Sequence, residues 1–311
     1  MRKLILILLI GCATASFGQQ DYQFTQFHFN KLAFNPAYAG TDNLISLTGM
    51  YRRQWAGLDG APQTGSFTMH APVFHERIGL GLHVYNDQHG VTDNLGVMAS
   101  YAYKVPLGGS VLSFGLQGGI INYRASLTDL NPLNPDDPAF SQDLTELKAN
   151  FGTGLFWYIP QQAFLGVSMP RILENDLGQI GVDADEVATL SRHVYAMGGY
   201  VFDISRDFKL RPAALFKMVG PGSAQGPLDV DLALHALIAQ RIWVGADYRL
   251  GDAVGVMTEV LATDQLMIGY AYDLGISDLA DYHNGSHEVV LRYQFQFRKD
   301  AHVNPRMIQY F

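Results

Sequence analysis

Two histidines, His283 and His287, are spaced four residues apart, the spacing at which a helix can present two imidazoles to one zinc ion. Here the intervening stretch contains Asn284, Gly285 and Ser286, which is typical of a loop rather than of a helix face. The other histidines are scattered along the chain. We therefore interpret this pair as part of a solvated loop and predict no metal site.

Two acidic groups could supply the hard oxygen ligands that calcium prefers. One is Asp136 with Asp137, and the other combines Asp183, Asp185 and Glu186. Neither group has the D-x-[DN]-x-[DN]-G spacing of a calcium loop. Hydrated acidic loops are the simpler interpretation of both.

A third group, Asp229, Asp231 and His235, alternates onto one face of a strand pattern and could serve a hydrolase. The sequence has no G-x-S-x-G elbow, no H-E-x-x-H motif and no phosphate-binding glycine motif. Polar side chains are also ordinary on the inner face of a membrane barrel. The sequence therefore predicts no enzyme, no cofactor and no metal.

The adjacent Arg52 and Arg53 stand out because the surrounding segment is rich in Leu, Ile, Met, Tyr and Trp. The simplest interpretation is a rim anchor, where arginine reaches the lumen, water or lipid headgroups. The alternative is that the pair contacts a substrate or partner through charge-assisted hydrogen bonds.

Composition narrows the classes of protein to which the chain can belong. It is 48% hydrophobic and only 16% charged, against roughly 25% charged in an ordinary soluble domain. Beyond the N-terminus no apolar run reaches the about 18 residues of a membrane helix. The 32 Gly, 18 Phe and 16 Tyr suit strands and turns, and a net charge of −8 gives no support to nucleic-acid binding.

Residues 1–18 have the features of a secretory signal peptide: two basic residues, the apolar run Leu4–Ile10, and the small residues Ser16 and Gly18 before the expected cleavage site. The only cysteine, Cys12, would leave with this segment, so no disulfide framework is expected. A lipoprotein cleavage box ending at Cys12 is an alternative interpretation.

Apolar residues recur at every second position over most of the remaining chain. In the last such run Val289, Leu291 and Tyr293 alternate with Glu288 and Arg292, and this two-residue period predicts a strand. The pattern predicts about fourteen strands of roughly 9–14 residues. Their predicted cores are 44–56, 63–72, 77–86, 92–104, 110–125, 148–159, 162–170, 192–203, 207–219, 227–238, 241–250, 253–261, 264–274 and 286–297.

The connections alternate between tight turns and looser links, two of which are long (127–147 and 171–191). Short turns on one rim and longer loops on the other are typical of an outer-membrane barrel. Strand length, export and aromatics near strand ends favour this fold over a soluble sandwich. We predict an all-β, transmembrane, antiparallel up-and-down barrel of about 14 strands, with its short turns on the periplasmic side.

A polar and aromatic lead-in, residues 19–43, precedes the first strand and does not alternate. We predict that this lead-in lies outside the sheet, on the periplasmic side. Its aromatics either pack on the periplasmic mouth and plug it, or dock a partner directly, since exposed aromatic clusters mark interfaces.

Three motifs give the sequence a resemblance to a known family. They are QFTQF from Gln23, FNPAYAG from Phe34 and YRRQWxGxxGAP from Tyr51, with weaker echoes at Asp136–Phe140 and in the tail from Asn304. With these motifs the chain resembles the PorP/SprF family of type IX secretion system outer-membrane proteins. The resemblance implies partner-binding or structural roles for Gln23, Phe24, Gln26, Phe27, Asn35, Pro36, Tyr38, Gly40, Arg52, Gln54, Trp55, Gly57, Gly60 and Pro62.

The resemblance also implies an outer-membrane location and a function in protein secretion, gliding motility or the attachment of a surface adhesin. The expected partners are outer-membrane lipid and either the C-terminal domain of a secreted surface protein, a periplasmic lipoprotein of the machinery, or both. The expected organisation is a signal peptide (1–18), a periplasmic lead-in (19–43), a barrel (44–298) and a periplasmic tail (299–311). The alternative function is a diffusion channel or a transporter of hydrophobic ligands.

Overall fold

The computed structural model describes residues 21–42, 44–74, 76–130, 140–179, 187–220 and 228–295. The predicted signal peptide (1–18), the predicted tail (299–311), and the acidic groups at 136–137 and 183–186 lie outside the described residues. None of the helices in the described part of the chain is both long and apolar enough to cross a membrane.

The predicted barrel is confirmed: fourteen antiparallel strands form a closed wall in the described part of the chain. The first and last strands pair from Ile45 opposite Phe295 to Arg53 opposite His287, which leaves no free edge. The strands are β1 (Ile45–Arg53), β2 (Gln63–Val73), β3 (Ile78–His89), β4 (Thr92–Leu107), β5 (Ser110–Ala125), β6 (Leu144–Ile159), β7 (Ala163–Met169), β8 (Asn175–Gln179), β9 (Val187–Leu190), β10 (His193–Tyr200), β11 (Phe202–Asp203), β12 (Phe208–Val219), β13 (Asp229–Ile238), β14 (Ile242–Arg249), β15 (Ala253–Leu261), β16 (Leu266–Gly275) and β17 (Ser286–Phe295).

Three of these strands are not part of the wall. Strands β8 and β9 form a separate hairpin within the connection from β7 to β10, and the two-residue β11 pairs with β12 alone. Strand β10 pairs with β7 on one side and with β12 on the other, so the wall is continuous there.

The alternation of side chains sets the register of each strand, as β17 illustrates. Val289 and Leu291 are 42% and 49% exposed on the outer face, whereas Glu288 and Arg292 are buried in the lumen. A shift by one residue would turn Arg292 toward lipid, at a cost of about 2–4 kcal/mol near the midplane. The apolar exterior and the charged interior therefore fix one register.

The two rims differ as predicted, with two exceptions. The rim at which β1 begins, here called the inner rim, carries the short connections 74–77, 108–109, 160–162, 239–241 and 262–265. The opposite outer rim carries the long ones, but its links β3–β4 (90–91) and β14–β15 (250–252) are as short as those of the inner rim. Gly90 and Gly251 have φ angles of 55° and 74°, which only glycine adopts readily, and they permit these tight turns.

The lead-in lies inside the barrel, which corrects the prediction of a segment on the periplasmic side. Every residue from 22 to 40 is buried, and the segment forms 3₁₀ turns at Phe27–Phe29 and Pro36–Tyr38 around the short helix α1 (Lys31–Phe34). A barrel of fourteen strands is wider than one whose own side chains fill it. The aromatics of the lead-in occupy that space instead of facing a partner.

Candidate functional site

Glycines on the inner face of the wall let the backbone of the lead-in approach closely. A Cβ added to Gly79 would lie 1.9 Å from the carbonyl oxygen of Ala39, and one added to Gly115 would lie 2.1 Å from the amide nitrogen of Ala37. Any larger residue at either position would collide with backbone that cannot turn away. These glycines of the wall are therefore required for the close packing of the lead-in against it.

The lead-in is fixed to the wall by a buried charge cluster centred on Arg52. The Arg52 guanidinium lies 2.7 Å from Asp273 and 3.3 Å from Glu288, and it donates to the Thr25 hydroxyl at 2.8 Å. Glu288 accepts hydrogen bonds from the backbone N–H groups of Thr25 and Gln26 at 2.9 and 2.8 Å. The cluster thus joins β1, β16 and β17 to the lead-in.

Ion pairs continue this cluster along the inner wall toward β12. Arg249 lies 3.6 Å from Asp273 and donates to Asp231 at 2.8 Å, and Asp231 in turn lies 2.8 Å from Lys217. Lys217 also lies 2.9 Å from Asp229, which accepts a hydrogen bond from Gln23 at 3.2 Å. Each charge is buried with an opposite charge beside it, as a buried ion requires.

At the inner rim the lead-in is held by Asp42, immediately before β1. Asp42 accepts hydrogen bonds from the Tyr38 hydroxyl at 2.7 Å and the Ser46 hydroxyl at 2.6 Å, and it pairs with Arg292. Close by, the Lys104 ammonium donates to the carbonyl of Gly40 at 2.5 Å. These contacts fix the point at which the lead-in becomes the first strand.

The asparagine of the Asn-Pro-Ala-Tyr motif has two structural functions. Its Oδ1 accepts a hydrogen bond from the Ala37 amide at 2.9 Å, and so caps the 3₁₀ turn. Its Nδ2 donates to the carbonyl of Leu155 in β6 at 2.9 Å. Asn35 therefore stabilises the turn and attaches it to the wall.

A cavity of about 790 Å³ opens at the outer rim, and we call it the outer vestibule. Its floor is formed by Asp21, Tyr22 and Gln23, and its sides by the β1–β2 loop from Gln54 to Pro62 and the β14–β15 turn. Its charged residues are mainly acidic. They are Asp21, Asp59, Asp87, Asp229 and Asp252, against Arg171 and Arg249.

Asp21 connects the floor of the outer vestibule to its side. It pairs with Arg171, which follows β7, and accepts a hydrogen bond from the Tyr195 hydroxyl of β10 at 2.7 Å. Burial alone would raise the pKa of Asp21, but the charges of Arg171 and His193 and the hydrogen bonds from Arg171 and Tyr195 lower it to about 2. The carboxylate is therefore charged at neutral pH and holds the start of the lead-in in place.

The β1–β2 loop is fastened to the loops beside it. The Ala56 amide donates to the Gly285 carbonyl at 2.7 Å, and the Gly90 amide donates to the Gly60 carbonyl at 2.8 Å. Gly57 has a φ of 97°, and a Cβ there would lie 2.9 Å from the side-chain amide of Asn284. The glycines of the YRRQWxGxxGAP motif thus shape the edge of the outer vestibule.

The motif residues fall into two groups. Those placed in the lumen are Gln23, Phe24, Gln26, Phe27, Asn35, Pro36, Tyr38, Gly40 and Arg52, and those placed at the outer rim are Gln54, Trp55, Gly57, Gly60 and Pro62. Of the environments predicted for these arginines, Arg52 occupies the lumen, where it is 2% exposed and ion-paired with the wall. Arg53 is exposed on the outer face of β1.

The residues proposed for catalysis or metal binding do not converge. Asp231 is held by Lys217 and Arg249, whereas the Nε2 of His235 lies 3.0 Å from the sulfur of Met257. His287 Nδ1 lies 2.6 Å from the Tyr270 hydroxyl on the exposed face. Among the described residues no group of three or more His, Cys, Asp or Glu side chains could hold a metal ion.

Sequence reasoning did not identify the wall residues that hold the lead-in, such as Lys104, Asp273 and Gly115. The signal that could have found them is the placement of glycine and charge on the inward positions of alternating strands. These inward glycines and charges can be interpreted as binding residues only when it is known that the lumen contains a segment of the chain itself.

The sequence matches the family model described as "Type IX secretion system membrane protein PorP/SprF" over residues 16–293. No curated protein matches the chain significantly. A solved structure, the "CymD monoaromatic hydrocarbon channel", is 10% identical and has a TM-score of 0.50, with 92% of this chain and 96% of that chain covered. The outer membrane protein Omp33 of Acinetobacter baumannii is 9% identical with a TM-score of 0.45, and 83% of this chain and 100% of that chain are covered. At such identity the CymD likeness supports the barrel fold alone.

Proposed function

Because the chain belongs to the PorP/SprF family of type IX secretion system membrane proteins, we propose that it acts in secretion as a protein-binding barrel rather than as a channel. Its partner is the C-terminal domain of a secreted surface protein, which it holds at the outer vestibule. The single observation that carries this proposal is that the lead-in fills the lumen, whereas the outer mouth keeps an open cavity of about 790 Å³.

The filled lumen argues against the alternative of a diffusion channel or hydrophobic-ligand transporter. A solute would have to displace a segment whose residues 22–40 are all buried and whose anchors include the ion pairs of Arg52 and Asp42. Breaking one buried pair costs about 3–5 kcal/mol. Such a barrel is better suited to anchoring a protein than to passing small molecules.

The two rims also differ in what they offer a partner. A cavity at the inner rim, lined by Arg206, Asp207 and the β13–β14 turn, measures about 290 Å³. The cavity at the outer rim is more than twice as large and is bordered by longer loops. This difference favours a secreted partner on the outside over a periplasmic lipoprotein on the inside.

Two experiments test the proposal. In planar bilayers the purified protein should show no steady conductance. Large stable pores would refute the proposal that the lead-in blocks the lumen. Binding should be measured with the purified C-terminal domain of a type IX-secreted surface protein from the same organism. Asp59→Arg, at the exposed edge of the outer vestibule, should weaken that binding at least tenfold, and Asp207→Arg, an equally exposed change at the inner rim, should not. The reverse result would place the binding site of the domain at the inner rim and would refute the proposal.

A further inference from the structure

The two ends of the lead-in lie at opposite mouths of the barrel. Its first described residues, Asp21–Gln23, form the floor of the outer vestibule. Its last, Asp42, pairs with Arg292 and accepts from Ser46 at the beginning of β1, on the inner rim. The segment therefore runs through the whole lumen from the outer rim to the inner rim.

Contacts near the two ends of the lead-in agree with these positions. Gln23 bonds Asp229, the first residue of β13 at the outer rim. Gly40 lies between His70 and Lys104, close to the inner-rim ends of β2 and β4. Between its ends the segment folds back on itself, since the Tyr22 hydroxyl donates to the carbonyl of Ala33 at 3.3 Å, whereas Phe29 lies against Arg211 near the inner-rim end of β12.

The membrane sidedness of the rims follows from the length of their connections. In outer-membrane barrels the short turns face the periplasm and the longer loops face the exterior. The inner rim, where β1 begins, has the shorter connections, of which the longest is 201–207 between β10 and β12, whereas the outer rim has the long ones 126–143 and 170–192. The outer vestibule therefore faces the cell exterior, and so does the start of the lead-in.

We infer that the lead-in crosses the outer membrane inside the barrel, so that its Asp21 end opens on the cell surface and forms part of the docking surface of the outer vestibule. A protein bound there would touch residues Asp21–Gln23 directly. The docking surface then combines the loops of the wall with the beginning of the lead-in. The location of the Asp21 end does not depend on the proposed function, whereas its contact with a partner does.

Labelling of intact cells tests the inference. A Gly-Ser-Cys extension is inserted immediately before Asp21 in a Cys12→Ala background, so that it carries the only thiol. A maleimide attached to polyethylene glycol too large to cross the outer membrane should label it on intact cells. The matched controls are Asp59→Cys on the outer β1–β2 loop, expected to react on intact cells, and Gly109→Cys in an inner-rim turn, expected to react only after permeabilisation.

A second measurement checks the route of the lead-in without the extension. The Thr25 hydroxyl donates to Asp273 at 2.7 Å, so the thiols of the pair Thr25→Cys and Asp273→Cys should be joined by a short bifunctional thiol reagent. Labelling of the extension only after permeabilisation, failure to label in either condition, or absence of this cross-link would overturn the inference. Normal labelling without any binding of the secreted domain would refute the proposed function and leave the inference intact. Binding of the domain should reduce labelling of the extension.

Discussion

Replacing Arg52 by methionine should destabilise the folded barrel far more than the same replacement of its neighbour Arg53. The first change removes the guanidinium that lies 2.7 Å from Asp273, 3.3 Å from Glu288 and 2.8 Å from the Thr25 hydroxyl. The second removes an exposed side chain on the outer face of β1. The two variants lose the same charge and the same volume.

The magnitude follows from what each carboxylate keeps. Removing one partner of a buried ion pair costs about 3–5 kcal/mol, because the other charge stays buried without compensation. Asp273 retains Arg249 at 3.6 Å, and Glu288 retains the amides of Thr25 and Gln26. These remaining contacts place the expected cost for Arg52→Met near the lower end, about 3 kcal/mol. Arg53→Met should change the free energy of unfolding by less than about 0.5 kcal/mol.

The assay is urea unfolding of the purified protein in detergent micelles, monitored by tryptophan fluorescence. The free energies of unfolding of the two variants are compared if both have the same m-value, the slope against urea concentration. Adding Glu288→Gln to Arg52→Met should recover part of the loss, since it removes one of the two stranded charges. The reasoning is refuted if the two single variants unfold within about 1 kcal/mol of each other, or if the second substitution makes Arg52→Met less stable.

Three further predictions concern the fit of the lead-in. Gly115→Ala should lower the free energy of unfolding by about 1–3 kcal/mol through overpacking, because its Cβ would lie 2.1 Å from the Ala37 nitrogen, whereas Gly49→Ala, with nothing within 4 Å, should be neutral or stabilising in the same urea assay. Asn35→Ala should cost about 1–3 kcal/mol by removing both the cap and a buried donor, and Asn35→Asp, which keeps only the cap, should fall between it and the wild type. The pKa of Asp21 is lowered to about 2 in the folded protein. Its contribution to the free energy of unfolding is therefore fully present above the pKa of 3.8 in the unfolded chain and is lost as the pH falls through about 2. Asp21→Asn should therefore cost about 2 kcal/mol at neutral pH and progressively less below about pH 4; a gap that is the same in neutral and strongly acidic urea titrations would contradict this.

The wall was predictable from sequence because each strand carries its own evidence. The alternation of Val289 and Leu291 with Glu288 and Arg292 needs no knowledge of the neighbouring strands, since one face must meet lipid and the other must not. The observed β17, Ser286–Phe295, lies within the predicted core 286–297. The strand count and the asymmetry of the rims follow from repeating this reasoning along the chain.

The candidate site was less predictable because it depends on contacts between distant parts of the chain. Arg52 and Arg53 cannot be distinguished by residue type. Only the register of β1 in the sheet places Arg52 in the lumen beside Asp273 and Arg53 on the outer face. The lead-in has no periodic pattern, so its path could not be derived from its own residues. Its aromatics fit equally well against a wall or against a partner until the space inside fourteen strands is considered.

The placement of the lead-in also constrains the order of biogenesis. Glu288, on the final strand, accepts hydrogen bonds from the amides of Thr25 and Gln26, which lie 263 and 262 residues earlier. Once β1 has paired with β17, the closed barrel leaves little room for a segment attached to β1 to enter the lumen. The lead-in must therefore enter the lumen before or while these two strands pair. Contacts between residues so far apart in the chain carry a large loop-closure entropy and slow folding. Closure of the barrel therefore takes place around a lumen that already contains the lead-in. A chain truncated before β17 would lack both the last strand of the wall and Glu288, the carboxylate that binds the lead-in.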